Sequence, residues 1–158
     1  MRWICSLFLY LSCVSCTDGD TRARDLRELA ELEKALTAVS TAPAEERSAR
    51  LDDVEQLELK GPRTAKVRAR CVEGYRAFID ATDKMAAARH HVRRIDDEVK
   101  KALSGPVDLD ASAGELADLH ARAVVATENL DSALAKAEEL VGDCTRLRAA
   151  LATEIGTE

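Results

Sequence analysis

An all-α fold is predicted, a long antiparallel, coiled-coil-like helical hairpin with two shorter N-terminal helices in a three- or four-helix bundle. Three observations predict it. From residue 63 to about 155, apolar or small residues recur at seven-residue spacing with a single break at Ser104-Gly105-Pro106. Ahead of that break-and-repeat pattern lie two shorter stretches of Leu and Val at helical spacing, punctuated by Pro43 and by Gly61-Pro62. Charged residues, 33% of the chain, are intermixed along the same stretches, as in ARDLRELAELEK, which reads as solvated helix faces.

The chain opens MRWICSLFLYLSCVSC, a lone Arg2, an apolar run from Trp3 to Val14, then small residues and a cysteine. The run is about a dozen residues long, against roughly 20 needed to cross a bilayer core. It therefore reads as a signal peptide over residues 1–15 that is removed, not as a permanent membrane helix. These sixteen residues, and only these, resemble the N-terminus of the bacterial lipoprotein class. In that class a cysteine is modified with lipid and becomes the first residue after cleavage. The resemblance implies lipidation at Cys16, which has Val14-Ser15 before it but Cys13 where the class usually carries Leu. Cys13 competes, with Leu11-Ser12 before it and Tyr10 at that place, and would leave a very short signal. Ordinary secretion with cleavage near Cys16 is the alternative, and both readings put the mature chain outside the cytoplasm. Asp18 is the kind of acidic residue that biases sorting toward the inner membrane in some members, but which membrane is left open. CVSC also has the spacing of a thiol redox motif, which would need a strand before it and a helix opening at it; here it closes a targeting run.

Residues 16–20 are expected to form a short lipid tether and 21–158 the helical bundle domain. Helix one is expected over 21–40, with Leu29, Leu32, Leu36 and Val39 as one apolar stripe. Helix two, from Pro43 to about Leu59, carries Leu51, Val54 and Leu57, with Glu45 and Glu46 at the positive end of its dipole. Whether it folds back at Gly61-Pro62 or continues into helix three stays open. Helix three, about 63–103, has a leading series Cys71, Phe78, Met85, Val92, Val99 and a companion series Val67, Gly74, Ala81, Ala88, Ile95, Ala102. All eleven positions are apolar or Gly, so both series are expected in a dry seam, with the small residues admitting a partner helix closely. Helix four should open at a Ser112–Glu115 capping box and run to about Ile155. Its seam is Leu116, Ala123, Leu130, Ala137, Cys144, Leu151, beside Leu119, Ala126, Ala133, Leu140 and Leu147.

Cys71 lies 32 residues before Leu103 and Cys144 31 residues after Ala113, so an antiparallel hairpin sets them at matched height. Outside the cytoplasm such a pair is expected as a disulfide. Both fall in the leading series of their helices, so pairing requires one helix to roll modestly. The alternative is two buried free thiols.

The search for chemistry is mostly exclusionary. Cutting off residues 1–15 removes Arg2 as the only charge and takes the formal net charge from −6 to about −7. An acidic chain without a basic stripe is a poor nucleic-acid binder. Tyr75 and Phe78 are the only mature aromatic residues, which counts against aromatic-walled pockets. His90, His91 and His120 have no metal-site spacing, and pairs such as Asp52-Asp53 and Asp96-Asp97 read as solvated. No catalytic, cofactor or metal residue is assigned, and no enzyme is expected. The expectation is a lipid-anchored structural or adaptor module of the cell envelope, partnered by the membrane through its lipid and by an envelope protein or by itself. The alternatives are a helical periplasmic chaperone or stress-sensor-like client binder, or capture of a hydrophobic ligand between helices.

Overall fold

The structure, a computed structural model, describes residues 14–104 and 109–157, with side chains over 19–104 and 113–156. Four helices make it up: α1 (Val14–Thr41), α2 (Ala44–Glu55), α3 (Pro62–Ser104) and α4 (Leu109–Thr157). No strand occurs among the described residues. The chain forms two compact units, one of Met1–Glu73 with Gly142–Glu158 and one of Gly74–Val141.

The first unit is a four-helix bundle. The α1 stripe Leu29, Leu32, Leu36 and Val39 is buried, together with Leu51 and Val54 of α2, Val67, Cys71 and Val72 of α3, and Cys144, Leu151 and Ile155 of α4. Each fully buried Leu or Ile contributes about 1.5–3 kcal/mol relative to exposure, which makes this the hydrophobic heart of the protein. Here α3 and α4 run antiparallel: Arg63 pairs with Glu154 and Cys71 with Cys144, one index rising as the other falls.

Three boundaries differ from expectation. α1 begins at Val14, so residues 17–20, expected as a tether, are helical. Gly19 disfavours helix most there, by about 1 kcal/mol, and Thr17, Asp18 and Asp20 less, while no proline intervenes. α2 stops at Glu55 instead of Leu59, leaving Leu57 outside the helix and only partly buried. It does not continue into α3: residues 56–61 turn, and α3 starts with Pro62 at the first helical position, where its missing N–H is no loss. α4 begins at Leu109, which moves Ser112 inside the helix and away from the expected capping box. Ser104 ends α3 as expected, while Gly105 and Pro106 lie outside the described residues.

The second unit consists of α3 and α4 alone, again antiparallel, with Ala81, Ala133 and Ala137 as its core and Ala77 packed against them. A Cβ built on Gly74 would stand 2.9 Å from the carbonyl oxygen of Leu140, so the two backbones touch there. Every described position of the expected α4 seam is buried or half-buried. The α3 seam is corrected. Its companion series faces inward, with Ala81 and Ala88 buried, but Phe78, Val92 and Val99 of the leading series are 41%, 58% and 39% exposed. Helices that meet through Gly and Ala sit so close that the contact narrows to that line. The larger residues of the leading series are then rolled out along one side of it.

Candidate functional site

The disulfide is formed. Cys71 and Cys144, fully buried, have Cα atoms 4.7 Å apart, inside the span a disulfide bridges. Both leading-series positions lie on the same side of the α3–α4 contact, so they meet across its edge once the backbones come close. Polar groups frame the pair. Arg70 donates to Asp143 and, at 2.7 Å, to Glu73, and Arg146 also pairs with Asp143. The Arg70 hydrogen bond holds the Asp143 carboxyl below its ordinary range, and Asp143 in turn raises the Arg70 guanidinium.

A second cluster, which reading ARDLRELAELEK as solvated missed, sits where α1 meets the start of α3. Asp25, Glu28 and Thr64 are 1%, 7% and 0% exposed, the only buried polar residues among those described. Glu28 accepts from the backbone N–H of Lys60 at 2.9 Å and of Gly61 at 3.0 Å, and from the Thr64 hydroxyl. It thus occupies the positive end of the α3 dipole and takes up N–H groups that would otherwise be orphaned. Asp25 is bridged by Arg24 at 3.1 Å and by the Arg63 Nε at 3.2 Å, and Arg63 reaches Glu154 at 3.4 Å. Burial alone would raise the Glu28 carboxyl; the hydrogen bonds from Thr64, Gly61 and Lys60, with the Arg24 charge, outweigh it and hold the group below its ordinary value.

Gly61 is required by this packing. A Cβ there would lie 2.7 Å from an Asp25 oxygen and from the Thr64 hydroxyl, and 2.8 Å from a Glu28 oxygen. The cluster also explains the early end of α2. The Lys60 N–H, which would close a helix ending at Leu59 on the Gln56 carbonyl, goes with that of Gly61 to Glu28, and Leu57 gives its carbonyl to Arg68. The signal was available in the sequence: the α1 stripe, carried back one turn from Leu29 and Leu32, lands on Asp25 and Glu28.

Of the residues singled out from the sequence, only Cys71 and Cys144 are brought together. Cys16 lies in α1, with its side chain outside the described residues, as is the whole of Cys13. His90 and His120 are exposed. The His91 ring is half-buried, 6.1 Å from that of His90, and its Nδ1 is buried without a hydrogen-bond partner. It lines an open cleft of about 460 Å³ with Arg122, Val125 and Asn129. Asp52, Asp53, Asp96 and Asp97 are exposed, and Asp96 pairs with Lys100 at 2.6 Å. Among the described residues no group of three or more His, Cys, Asp or Glu is placed to hold a metal ion, and no helix is long and apolar enough to cross a membrane.

The buried acidic cluster is saturated with internal donors, so its chemistry is structural: it fixes the angle at which α3 leaves the turn. The chain matches no protein-family profile, no curated protein and no solved structure.

Proposed function

We propose that this protein is a lipid-anchored extracytoplasmic helical module of the bacterial cell envelope, attached through Cys16 and acting as a structural or adaptor component. The observation that carries the reading is a buried, bonded cysteine pair 73 residues apart in a chain whose first sixteen residues resemble the bacterial lipoprotein class. Such a bond persists in an oxidising compartment and is rare in the cytosol. Two or more acyl chains on Cys16 would give stable membrane residence where one would not. The helical surface, not a pocket, is then what the protein offers its surroundings.

Cys16→Ser tests the anchor, with Cys13→Ser beside it. Incorporation of radiolabelled fatty acid and sedimentation with membranes should be lost in Cys16→Ser and kept in Cys13→Ser. A wild-type protein that takes up no label and carries free Cys71 and Cys144 thiols inside the cell defeats the proposal. The exposed apolar residues of the second unit favour a second reading, capture of a hydrophobic client or ligand. Lipid extracted in stoichiometric amount from the purified protein would support that reading over the adaptor.

A further inference from the structure

The two flanks of the α3–α4 contact in Gly74–Val141 are chemically different. On one, a cleft lined by His91, Ala121, Arg122, Val125, Ala126 and Asn129 mixes polar with apolar side chains. The other carries more of the exposed large apolar side chains, Phe78, Val92, Val99 and Leu134. There an open cleft of about 370 Å³ is lined by Met85, Ala88, Val92 and Leu130, with Arg89 and Arg93 at its margin. Phe78 and Val99 extend this flank along α3 at seven-residue spacing from Met85 and Val92, and Leu134, 40% exposed, extends it on α4 one turn from Leu130. We propose that this face is a homodimer interface, covered by the same face of a second copy of the chain.

Two quantities commit the occupant to a second copy. The first is size. Phe78 to Val99 spans about 32 Å at 1.5 Å per residue, and two helices side by side are about 20 Å wide. That face of roughly 600 Å² matches what each partner gives to a stable interface, about 600–1,000 Å². The second is charge. The outer edge of the face is basic on α3, where Arg89 and Arg93 flank the cleft. It is acidic on α4, where Asp131 and Glu138 follow Leu130 and Ala137 by one position and are exposed. A two-fold axis parallel to the helices sets α3 of one protomer on α4 of the other, so each basic edge meets an acidic one. By the register of the Cys71–Cys144 pair, Arg89 then lies about 7.5 Å along the axis from the height of the partner subunit's Asp131, within the reach of an arginine side chain. The other two-fold arrangement, α3 on α3, would set basic edge on basic edge and is disfavoured. The face is self-complementary in one arrangement only.

The inference is independent of the lipid anchor. It is tested on the full protein as purified from the cells that make it, by sedimentation in density-matched detergent over about 1 to 100 μM, where a dimer declares itself by mass action. A dimer mass is expected for the wild type. Val92→Glu, at a position 58% exposed, should leave the circular dichroism spectrum unchanged and weaken dimerisation ~100-fold or more by placing unpaired charge in the interface. Arg89→Glu and Asp131→Arg should each weaken it ~10-fold, and the two together should restore it. A wild type that stays monomeric throughout overturns the proposal, as does a Val92→Glu protein that dimerises undiminished. Failure of the reversed pair to rescue overturns the α3-on-α4 arrangement.

Discussion

Gly74→Ala should destabilise the protein although alanine is the better helix former. In an open helix the exchange gains about 1 kcal/mol. At Gly74 the added Cβ meets the Leu140 carbonyl oxygen at 2.9 Å, its carbon at 3.0 Å and the Val141 nitrogen at 3.1 Å. All three are backbone atoms of a continuous helix, so relief requires α3 and α4 to separate, which strips contact from Ala77, Ala81, Ala133 and Ala137. Overpacking of this kind costs about 1–3 kcal/mol, so the propensity gain is cancelled and a net loss of up to about 2 kcal/mol is expected. Gly142→Ala supplies the reference. There the nearest atom outside the helix backbone is the tip of Arg146 at 3.9 Å, so the propensity gain of about 0.5–1 kcal/mol should survive. Urea unfolding followed by far-ultraviolet circular dichroism should move the two midpoints in opposite directions at unchanged slope. Amide exchange over residues 74–81 and 133–140 should quicken in Gly74→Ala alone. If Gly74→Ala stabilises the protein as much as Gly142→Ala, the close backbone approach is wrong.

Reduction of the Cys71–Cys144 bond, or Cys71→Ala with Cys144→Ala, should cost up to about 4 kcal/mol for a loop closed over 73 residues, read as a lower melting temperature with and without reductant. Equal melting temperatures in the two conditions would show the bond contributes nothing. Glu28→Gln should cost about 1–3 kcal/mol at neutral pH, because the N–H groups of Lys60 and Gly61 lose a charged acceptor. Since folding depresses the Glu28 carboxyl, its stabilisation is present above the unfolded value of about 4 and disappears as pH falls through the lower folded value. Stability measured from pH 7 down to pH 2 should therefore drop in acid for the wild type and drop less for Glu28→Gln. Identical acid profiles would remove Glu28 from the account.

Much of the helical skeleton could be read directly. α3 and α4 were legible because heptad repetition is a local property of the chain, and Cys71 and Cys144 because a hairpin makes height a matter of counting from the bend. The Leu29–Val39 stripe was legible for the same reason. The stripe carried back one turn reaches Asp25 and Glu28, but their burial was not legible from it, because charged residues on amphipathic helices usually face water. Their burial depends on donors from residues 60–64, more than thirty positions away.

The sequence alone determined the helical class, the antiparallel pairing of two long helices and the match between two distant cysteines, since all of these follow from periodicity and from where proline and glycine interrupt it. Tertiary structure decided which apolar series of α3 turned inward, where α2 stopped and which acidic side chains were buried. Periodicity names two adjacent faces without ranking them. The ranking came from how closely Gly74 lets two backbones approach, and the α2 boundary from a carboxylate of α1 that takes the N–H groups another helical turn would have used.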